Sequence, residues 1–476
     1  MERADDHHRH QTDLLCDCSC GGERNKWFEC VVIDSVNNAQ AGEARLFGLS
    51  GPLDHEPRVA TGDGAGKPDA NSHRHILALP FVAGTSLPHG YQNSLARYGC
   101  AVDQFELSAQ SRQLLEEAQA AGAELAPLAA KDPGSVNRSL INALAEKGLL
   151  GRLFPTGGPV RALDLCLIRQ GLARSSTQAE TAFAMQGLGA YPIFQSGSPE
   201  IVQRLIPAVG RGESVPAFAL TEPGAGSDAA HLELRAEADG DGYRLTGEKT
   251  YISNAPEADF YTVFARTGEG RHGISAFVVA AGINGVSGRK IAMMSPHPIG
   301  TLSLDGVRVE QDDLIGSEGD GFAVAMRTLD LFRPSVGAFA VGMAEAARDL
   351  ALAHASERVA FGQPIVRFQA VSHMLSNMSI EIEAARMLVY RAASAHDRGS
   401  NGLLTGWAAT AKLFATETAQ RAVDGAIQIL GARGLEQDHL LAHLYQEVRA
   451  PRIYEGTSEI QRNVIARELT AGRWPR

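Results

Sequence analysis

Cysteine is scarce in most of this chain. Of the six cysteines, only Cys166 lies beyond position 100. The other five all fall within the first hundred residues (Cys16, Cys18, Cys20, Cys30 and Cys100). A fold held together by disulfide bonds would not leave its main body with one cysteine, so the sequence excludes a disulfide-stabilised scaffold.

Basic residues and long apolar runs are also lacking. The 44 Lys and Arg residues are outnumbered by 55 Asp and Glu residues, and the formal net charge of −11 argues against a nucleic-acid partner. No apolar run approaches the roughly 20 residues of a membrane span, and no apolar segment follows a basic start as in a secretory signal. We therefore expect a cytoplasmic protein without a membrane span.

Residues 1–103 lack any sustained helical or strand periodicity, which favours a disordered extension or an upstream stretch included by the choice of start codon. His7, His8 and His10 precede the cysteines of the segment 16–20, but these cysteines do not have the paired spacing of a structural zinc site. The segment 62–67 is not a phosphate loop, because Thr61 stands where the first glycine should be. We therefore expect no metal site.

The rest of the chain is long enough for several domains, and its periodicity changes twice. Residues 104–215 read as a helical domain, residues 216–317 as a small β domain, and residues 318–476 as a helical bundle. The predicted fold class is therefore α+β, mostly α. Predicted helices cover 163–173, a helix that begins at Pro199, and four bundle helices at 336–360, 371–398, 405–430 and 440–449. Predicted strands include alternating residues on both sides of a turn at 240–242, and the segments 260–266 and 274–280.

The segment 453–462 reads as a break between two helices, with Thr457 or Ser458 as the cap of the second, which covers 459–467. Glu455 lies just before this break. Taken alone, such a glutamate would be an exposed surface carboxylate.

The segment 221–228 places two glycines and a proline between the helical and β regions. Such a loop allows the backbone to approach a flat ligand closely, and Thr221 and Ser227 add hydroxyl groups. It does not match the dinucleotide-binding glycine pattern. On local evidence, a structural turn between domains is the alternative.

Together, ALTEPGAGSD (219–228) and RIYEGTSEIQR (452–462) resemble the acyl-CoA dehydrogenase family, whose members use FAD. RVAFGQPIVRFQAV (358–371) and QILGARG (428–434) follow the same family order. The resemblance covers residues 104–476 and implies a three-domain fold, with an N-terminal helical domain, a middle β domain and a C-terminal four-helix bundle.

The resemblance also implies which residues contact FAD. In the middle domain these are Phe218, Leu220, Thr221, Gly226, Ser227, Tyr251, Ile252 and Ser253. In the C-terminal domain they are Arg358, Phe361, Gln369, Gln428, Ile429, Gly431, Thr457 and Glu459. Without the family, Tyr251 would be a buried core residue and Arg358 a solvated charge at a helix end.

The C-terminal segments around Arg358 and Gln428 reach the FAD of a neighbouring subunit in the family. The guanidinium of Arg358 suits a pyrophosphate, because its planar fork matches phosphate oxygens. The resemblance therefore implies a homodimer within a homotetramer.

On the substrate side, the resemblance implies contacts to acyl-CoA from Ser227, Asp330, Arg333, Tyr454 and Gly456. For Asp330 and Arg333, an ordinary i,i+3 ion pair is the alternative. Phe332 stands where some family branches place their catalytic glutamate. Because phenylalanine cannot accept a proton, Glu455 is predicted to be the base.

The implied reaction is the α,β-dehydrogenation of an acyl-CoA to a trans-2-enoyl-CoA, with electrons passed to an electron-transfer flavoprotein. The alternatives are an acyl-CoA oxidase, a dehydrogenase of carrier-protein thioesters, and a non-catalytic flavoprotein that could include a nucleic-acid-binding relative. The acidic charge and the presence of Glu455 count against the last of these. The motifs leave the acyl chain undefined.

Overall fold

The structure is a computed structural model that describes residues 31–32, 76–77, 106–129, 134–295, 297–399 and 403–474. The chain divides into two units, Met1–Val102 and Asp103–Arg476. In the first unit, β1 (Val31–Val32) pairs in antiparallel fashion with β2 (Ile76–Leu77). The remainder of the predicted extension, with its rejected zinc and phosphate-loop patterns, lies outside the described residues.

The second unit begins with five helices. They are α1 (Ala109–Leu125), α2 (Arg138–Glu146), α3 (Ala162–Ala173), α4 (Thr177–Ser196) and α5 (Pro199–Gly210). Ser198 caps α5 by accepting a hydrogen bond from the Ile201 N–H, and Pro199 occupies the first helical position, as predicted. The predicted helix 163–173 is confirmed, with one more residue at its start.

The middle part is a seven-stranded sheet. Its strands are β3 (Pro216–Ala219), β4 (Arg235–Asp239), β5 (Gly242–Ser253), β6 (Phe260–Arg266), β7 (Ile274–Ala280), β8 (Val286–Ser287) and β9 (Ile299–Glu310). The strand order is β3-β6-β4-β5-β9-β8, with β7 on β6. The β4–β5 turn, β6 and β7 agree with the predictions.

Two details of the sheet correct the sequence reading. The pattern missed the strands β3, β8 and β9. In β9, Gly300 and Gly306 interrupt the alternation of apolar residues. The loop that begins at Leu220 follows β3, so it lies within the sheet domain and does not connect two domains. Because β3 pairs with β6 in parallel, this loop leaves the sheet at the C-terminal end of β3.

The described residues of the C-terminal part form five α-helices: α6 (Gly321–Glu357), α7 (Gln369–Asp397), α8 (Leu404–Leu430), α9 (Leu440–Glu447) and α10 (Ser458–Thr470). Between α6 and α7, β10 (Val359–Ala360) and β11 (Gln363–Pro364) form a small hairpin. The predicted start of the first helix at Val336 is wrong. The helix begins at Gly321 and continues through Pro334, whose surroundings are fully buried.

Packing joins the three parts. One apolar core unites α1 and α3 with α6, α7 and α8. A second apolar core is formed mainly by side chains of the sheet strands. A third cluster links α4 and α5 to the sheet and to the start of α6. Within the described part of the chain, no helix is long and apolar enough to cross a membrane.

Candidate active site

The turn that carries Glu455 lies between a short 3-10 helix (Ala450–Arg452) and α10. Glu455 has a φ of 53° and Gly456 a φ of 95°, so two consecutive residues adopt the left-handed region. This conformation is unusual for a residue with a side chain and marks functional sites. Thr457 caps α10, because its hydroxyl accepts a hydrogen bond from the Ile460 N–H at 3.3 Å. The predicted cap is therefore confirmed.

Side chains from two helices hold this turn through the Glu455 carbonyl. Arg333 of α6 donates from Nε to this oxygen at 3.1 Å, and Gln461 of α10 donates from Nε2 at 3.1 Å. Asp330 forms an ion pair with Arg333 at 3.3 Å and accepts a hydrogen bond from the Thr405 hydroxyl at 2.9 Å. The ion-pair interpretation of Asp330 and Arg333 is thus confirmed, and their contact with substrate stays a prediction.

The Glu455 carboxylate is only partly satisfied. Its Oε2 atom is buried and has no hydrogen-bond partner within the described part of the chain. Burial raises the pKa of Glu455, while the nearby cations Arg169, Arg333 and Lys412 oppose that rise. Within the described residues, the Glu455 N–H donates no hydrogen bond either. Glu455 therefore offers both a carboxylate oxygen that can accept a proton and a backbone N–H that can donate a hydrogen bond.

The two residues beside Glu455 differ in exposure. Tyr454 is 37% exposed, and Gly456 is partly buried. Glu459, in the first turn of α10, is exposed and lies 3.8 Å from Arg462. These positions agree with roles in ligand binding that stay predictions.

The loop after β3 lies beside the end of β5. The Thr250 N–H donates to the Thr221 carbonyl at 2.9 Å, which joins the two segments. Tyr251 has a φ of 55° and is 58% exposed, so the buried-core interpretation of this residue is wrong. Gly226 has open space where a side chain would start, and Ser227 is exposed beside it.

The other predicted FAD contacts of the middle domain are buried or partly buried. Phe218 packs its ring against Phe264 with centroids 4.9 Å apart. Leu220 and Ile252 are buried. The Ser253 hydroxyl lies 2.8 Å from Nε2 of His297.

A buried ion pair that the sequence reading missed joins the loop to β5. Lys249 is fully buried, and its Nζ donates to a Glu222 carboxylate oxygen at 2.7 Å and to the Leu220 carbonyl at 3.0 Å. The Glu222 carboxylate also accepts hydrogen bonds from the N–H groups of Glu233 and Leu234. Burial lowers the pKa of Lys249 to about 8. The alternation of β5 places Lys249 on the buried face of the strand, and this pattern could have predicted a buried partner for its charge.

The second predicted cofactor group includes residues at the C-terminal ends of α6 and α8. Arg358 is an exposed C-cap residue of α6, and Phe361 is 96% exposed at a φ of 52° in the hairpin that follows. Gln369 is the first residue of α7. Gln428 is exposed near the end of α8, Ile429 is largely buried there, and Gly431 follows at a φ of 63°.

The two halves of this second group lie near each other. Helices α6 and α8 run side by side in the same direction, with Thr405 at Asp330 and Ala411 at Gly337, so their C-terminal ends are neighbours. Burial together with the positive charges of Arg433 and Arg358 lowers the pKa of His354, near the end of α6. Among the hydrogen bonds and ion pairs of the described residues, none connects this group to the loop after β3.

Three family models match the chain in order. They are described as the acyl-CoA dehydrogenase N-terminal domain (residues 108–213), middle domain (217–307) and C-terminal domain (319–470). The chain belongs to the acyl-CoA dehydrogenase family. It is therefore an FAD-dependent oxidoreductase that acts on acyl-CoA, as the motifs predicted.

Known proteins resemble this acyl-CoA dehydrogenase along most of their length. Cyclohexane-1-carbonyl-CoA dehydrogenase of Geobacter metallireducens is 36% identical over 361 residues, which are 74% of this chain and 94% of the relative. The structure of butyryl-CoA dehydrogenase from Megasphaera elsdenii has a TM-score of 0.73 at 34% identity, covering 77% of this chain and 100% of that one. An FAD complex of PigA has a TM-score of 0.73 at 27% identity, covering 77% and 99%.

The chemistry of the site fits FAD. Tyr251 and Phe361 present large apolar surfaces that the described residues leave open, and such surfaces suit the flat rings of the cofactor. The open backbone at Gly226 allows close approach. When bound, FAD supplies the acceptor for a hydride. The residues that would hold it are those of the two groups described above.

Phe332 is a buried residue of α6 and precedes Arg333, whose side chain contacts the Glu455 turn. It is 1% exposed, and its ring packs at Gly187, where an added side chain would come within 2.9 Å of it. Its centroid lies 6.0 Å from that of Tyr191. The structure therefore contains an apolar ring, and no second carboxylate, at position 332.

A buried pair of opposite charges also lies near this turn and was missed. Arg169 of α3 donates to Glu180 of α4, and it donates to the Ser335 hydroxyl at 2.7 Å. Both charged residues are almost completely buried. In the described ranges, no cluster of His, Cys, Asp and Glu side chains could hold a metal ion.

Proposed function

We propose that Glu455 is the base that removes the α-proton of an acyl-CoA, in a reaction that yields a trans-2-enoyl-CoA. The observation that carries this proposal is the Glu455 carboxylate, whose buried Oε2 has no partner in the described residues and whose pKa is raised by burial. A general base works best when its pKa lies near the working pH.

The same residue supports the developing negative charge. The free N–H of Glu455 is suited to donate a hydrogen bond to the thioester carbonyl, whose oxygen gains charge as the α-proton leaves. Arg333 and Gln461 keep the turn in its left-handed conformation, so the N–H and the carboxylate keep their relative positions. This arrangement stabilises the transition state without moving any group.

We further propose a short, branched or cyclic acyl group and an electron-transfer flavoprotein as acceptor. The buried ring of Phe332 reduces the space for a long straight chain. A relative that acts on cyclohexane-1-carbonyl-CoA supports the same substrate class. Oxygen consumption that matches substrate oxidation would instead indicate an oxidase.

The proposed assembly is a homotetramer built from dimers. The chain carries two groups of predicted FAD contacts, and the described contacts do not join them. Phe361 is 96% exposed within the second group, as expected for a residue that another subunit covers. A second copy would bring the two groups together.

The Glu455→Gln variant tests the base. Glutamine keeps the size of the side chain but cannot accept the proton, so we expect flavin reduction to slow by about 10²–10⁴-fold or more while FAD stays bound. The measurement is anaerobic stopped-flow flavin bleaching with saturating acyl-CoA in a single turnover. Glu116→Gln, an exposed carboxylate of α1, is the matched control and should reduce flavin at the parent rate. Bleaching of Glu455→Gln within about tenfold of the parent would remove Glu455 from the mechanism.

A further inference from the structure

Lys412, on α8, contacts the backbone of the turn that carries Glu455. It is fully buried, and its Nζ donates a hydrogen bond to the Gly456 carbonyl at 2.7 Å. A lysine is almost never fully buried without a specific partner, because removing its charge from water is costly. Here the partner is the backbone of the turn that carries the proposed base.

Side chains from three helices donate hydrogen bonds to the carbonyls of Glu455 and Gly456. Gln461 of α10 donates to the Glu455 and Gly456 carbonyls at 3.1 and 3.0 Å, and Arg333 of α6 donates to the Glu455 carbonyl at 3.1 Å. Lys412 of α8 completes the set. Two consecutive carbonyls thus accept four hydrogen bonds, two of them from cations.

The charge of Lys412 is not neutralised by a direct ion pair. Arg333 is paired with Asp330, whereas the described residues contain no carboxylate within ion-pair distance of Lys412. The charged groups that face it are Glu455 and Glu459 of the turn and α10, Glu417 of α8, and Arg333 of α6. Its hydrogen bond to the Gly456 carbonyl holds the Lys412 charge one residue along the chain from Glu455.

We propose that Lys412 is a positioning residue with two effects: it fixes the catalytic turn through the Gly456 carbonyl, and its positive charge keeps Glu455 ionised near neutral pH. The proposal rests on Glu455 being the base. The two effects can be separated, because Gln461 makes the same kind of hydrogen bond to the same carbonyl without a charge. The direction of the second effect follows from the geometry, since a nearby cation favours the carboxylate over the carboxylic acid. In agreement, the positive charges of Arg169, Arg333 and Lys412 each lower the pKa of Glu455 against the effect of burial.

The test compares Lys412→Met with Gln461→Leu in the FAD-loaded enzyme. The rate of flavin reduction is measured by stopped flow between pH 5 and 9, together with the ratio of flavin to protein and the urea-unfolding midpoint. We expect both variants to reduce flavin about 10- to 100-fold more slowly, because each loosens the turn. Only Lys412→Met should move the acid limb of the pH profile upward, by about one pH unit, since a less ionised base loses activity at a higher pH. Lys412→Arg, which keeps the charge, should retain the acid limb of the parent.

An acid limb for Lys412→Met that coincides with those of the parent and Gln461→Leu would overturn the proposal. If Lys412→Met fails to fold or loses FAD, Lys412→Gln carries the same test, because it keeps a donor and removes only the charge. Glu455→Gln is measured in parallel. If that variant bleaches like the parent, the base assignment itself fails. If it is inactive while Lys412→Met or Lys412→Gln shows no shift, only the role of Lys412 fails.

Discussion

At the residue scale, the proposed limit on the length of the acyl chain rests on Phe332, a buried residue of α6. It lies on α6 next to Arg333, so it belongs to the same helical turn that holds the Glu455 backbone. Its contacts with Gly187 and Tyr191 fill the space between α4 and α6. A smaller residue would open a cavity without removing any polar contact.

Phe332→Ala should therefore shift substrate preference toward longer chains. Each extra methylene accommodated by a pocket changes discrimination by about 10- to 200-fold, so we expect the ratio of flavin-reduction rates for octanoyl-CoA over butyryl-CoA to rise by at least about tenfold. The same change removes a buried ring and should lower the free energy of unfolding by about 3–5 kcal/mol. Phe277→Ala, in the core of the sheet, is the control that should lose stability without changing preference. Preference of the parent enzyme for palmitoyl-CoA would contradict the proposed role of Phe332.

At the element scale, the loop after β3 and the end of β5 act as one unit because Glu222 and Lys249 connect them. The ion pair is buried, and the remaining lone pairs of Glu222 accept backbone hydrogen bonds. Breaking a buried pair from one side leaves an uncompensated charge, which is strongly destabilising. The predicted FAD contacts Thr221, Gly226 and Tyr251 depend on this connection for their positions.

Glu222→Gln should lower the free energy of unfolding by about 3–5 kcal/mol and weaken FAD binding, because the Lys249 charge stays buried without its partner. The double variant Glu222→Gln with Lys249→Met should recover most of the stability, since no unpaired charge remains, but should bind FAD less tightly than the parent. Urea unfolding and FAD titration of the apoenzyme by fluorescence quenching measure the two quantities. Glu213→Gln, which breaks the exposed pair with Arg211, should change neither. Unchanged FAD affinity in both Glu222 variants would show that the pair does not position the cofactor loop.

At the scale of the whole molecule, the proposed assembly explains why one chain exposes Phe361 and Arg358 at the end of α6. Phe361 contacts Phe368, seven residues further along the chain, at a ring-centroid distance of 6.1 Å. A large exposed aromatic ring next to an arginine suits a surface that another molecule covers. The proposed occupant is a second copy of this chain with its FAD.

Arg358→Glu should lose FAD and weaken the dimer together. The charge reversal sets a carboxylate against the cofactor phosphates, where an arginine would form charge-assisted hydrogen bonds. Light scattering after size exclusion gives the oligomer, and absorbance gives the flavin content. Arg235→Glu, an exposed position on β4, should leave both unchanged. If Arg358→Glu also leaves both unchanged, Arg358 lies on an open surface.

The amino-acid sequence by itself determined the order of helices, sheet and helices, because the periods of apolar residues in helices and strands are local properties. It likewise determined the β4–β5 turn and the Thr457 cap, which depend on residues within a few positions of one another. The motifs were also sufficient to place the chain in its family.

Only the tertiary structure decided which polar side chains surround Glu455. Arg333 is 122 residues away in sequence from the carbonyl it holds, and Lys412 is 44 residues away from its own. The start of α6 was decided in the same way, since the packing around Pro334 outweighs the local tendency of proline to end a helix. A hydrogen bond or buried contact between distant segments has no local pattern, because its partners become neighbours only when the helices pack.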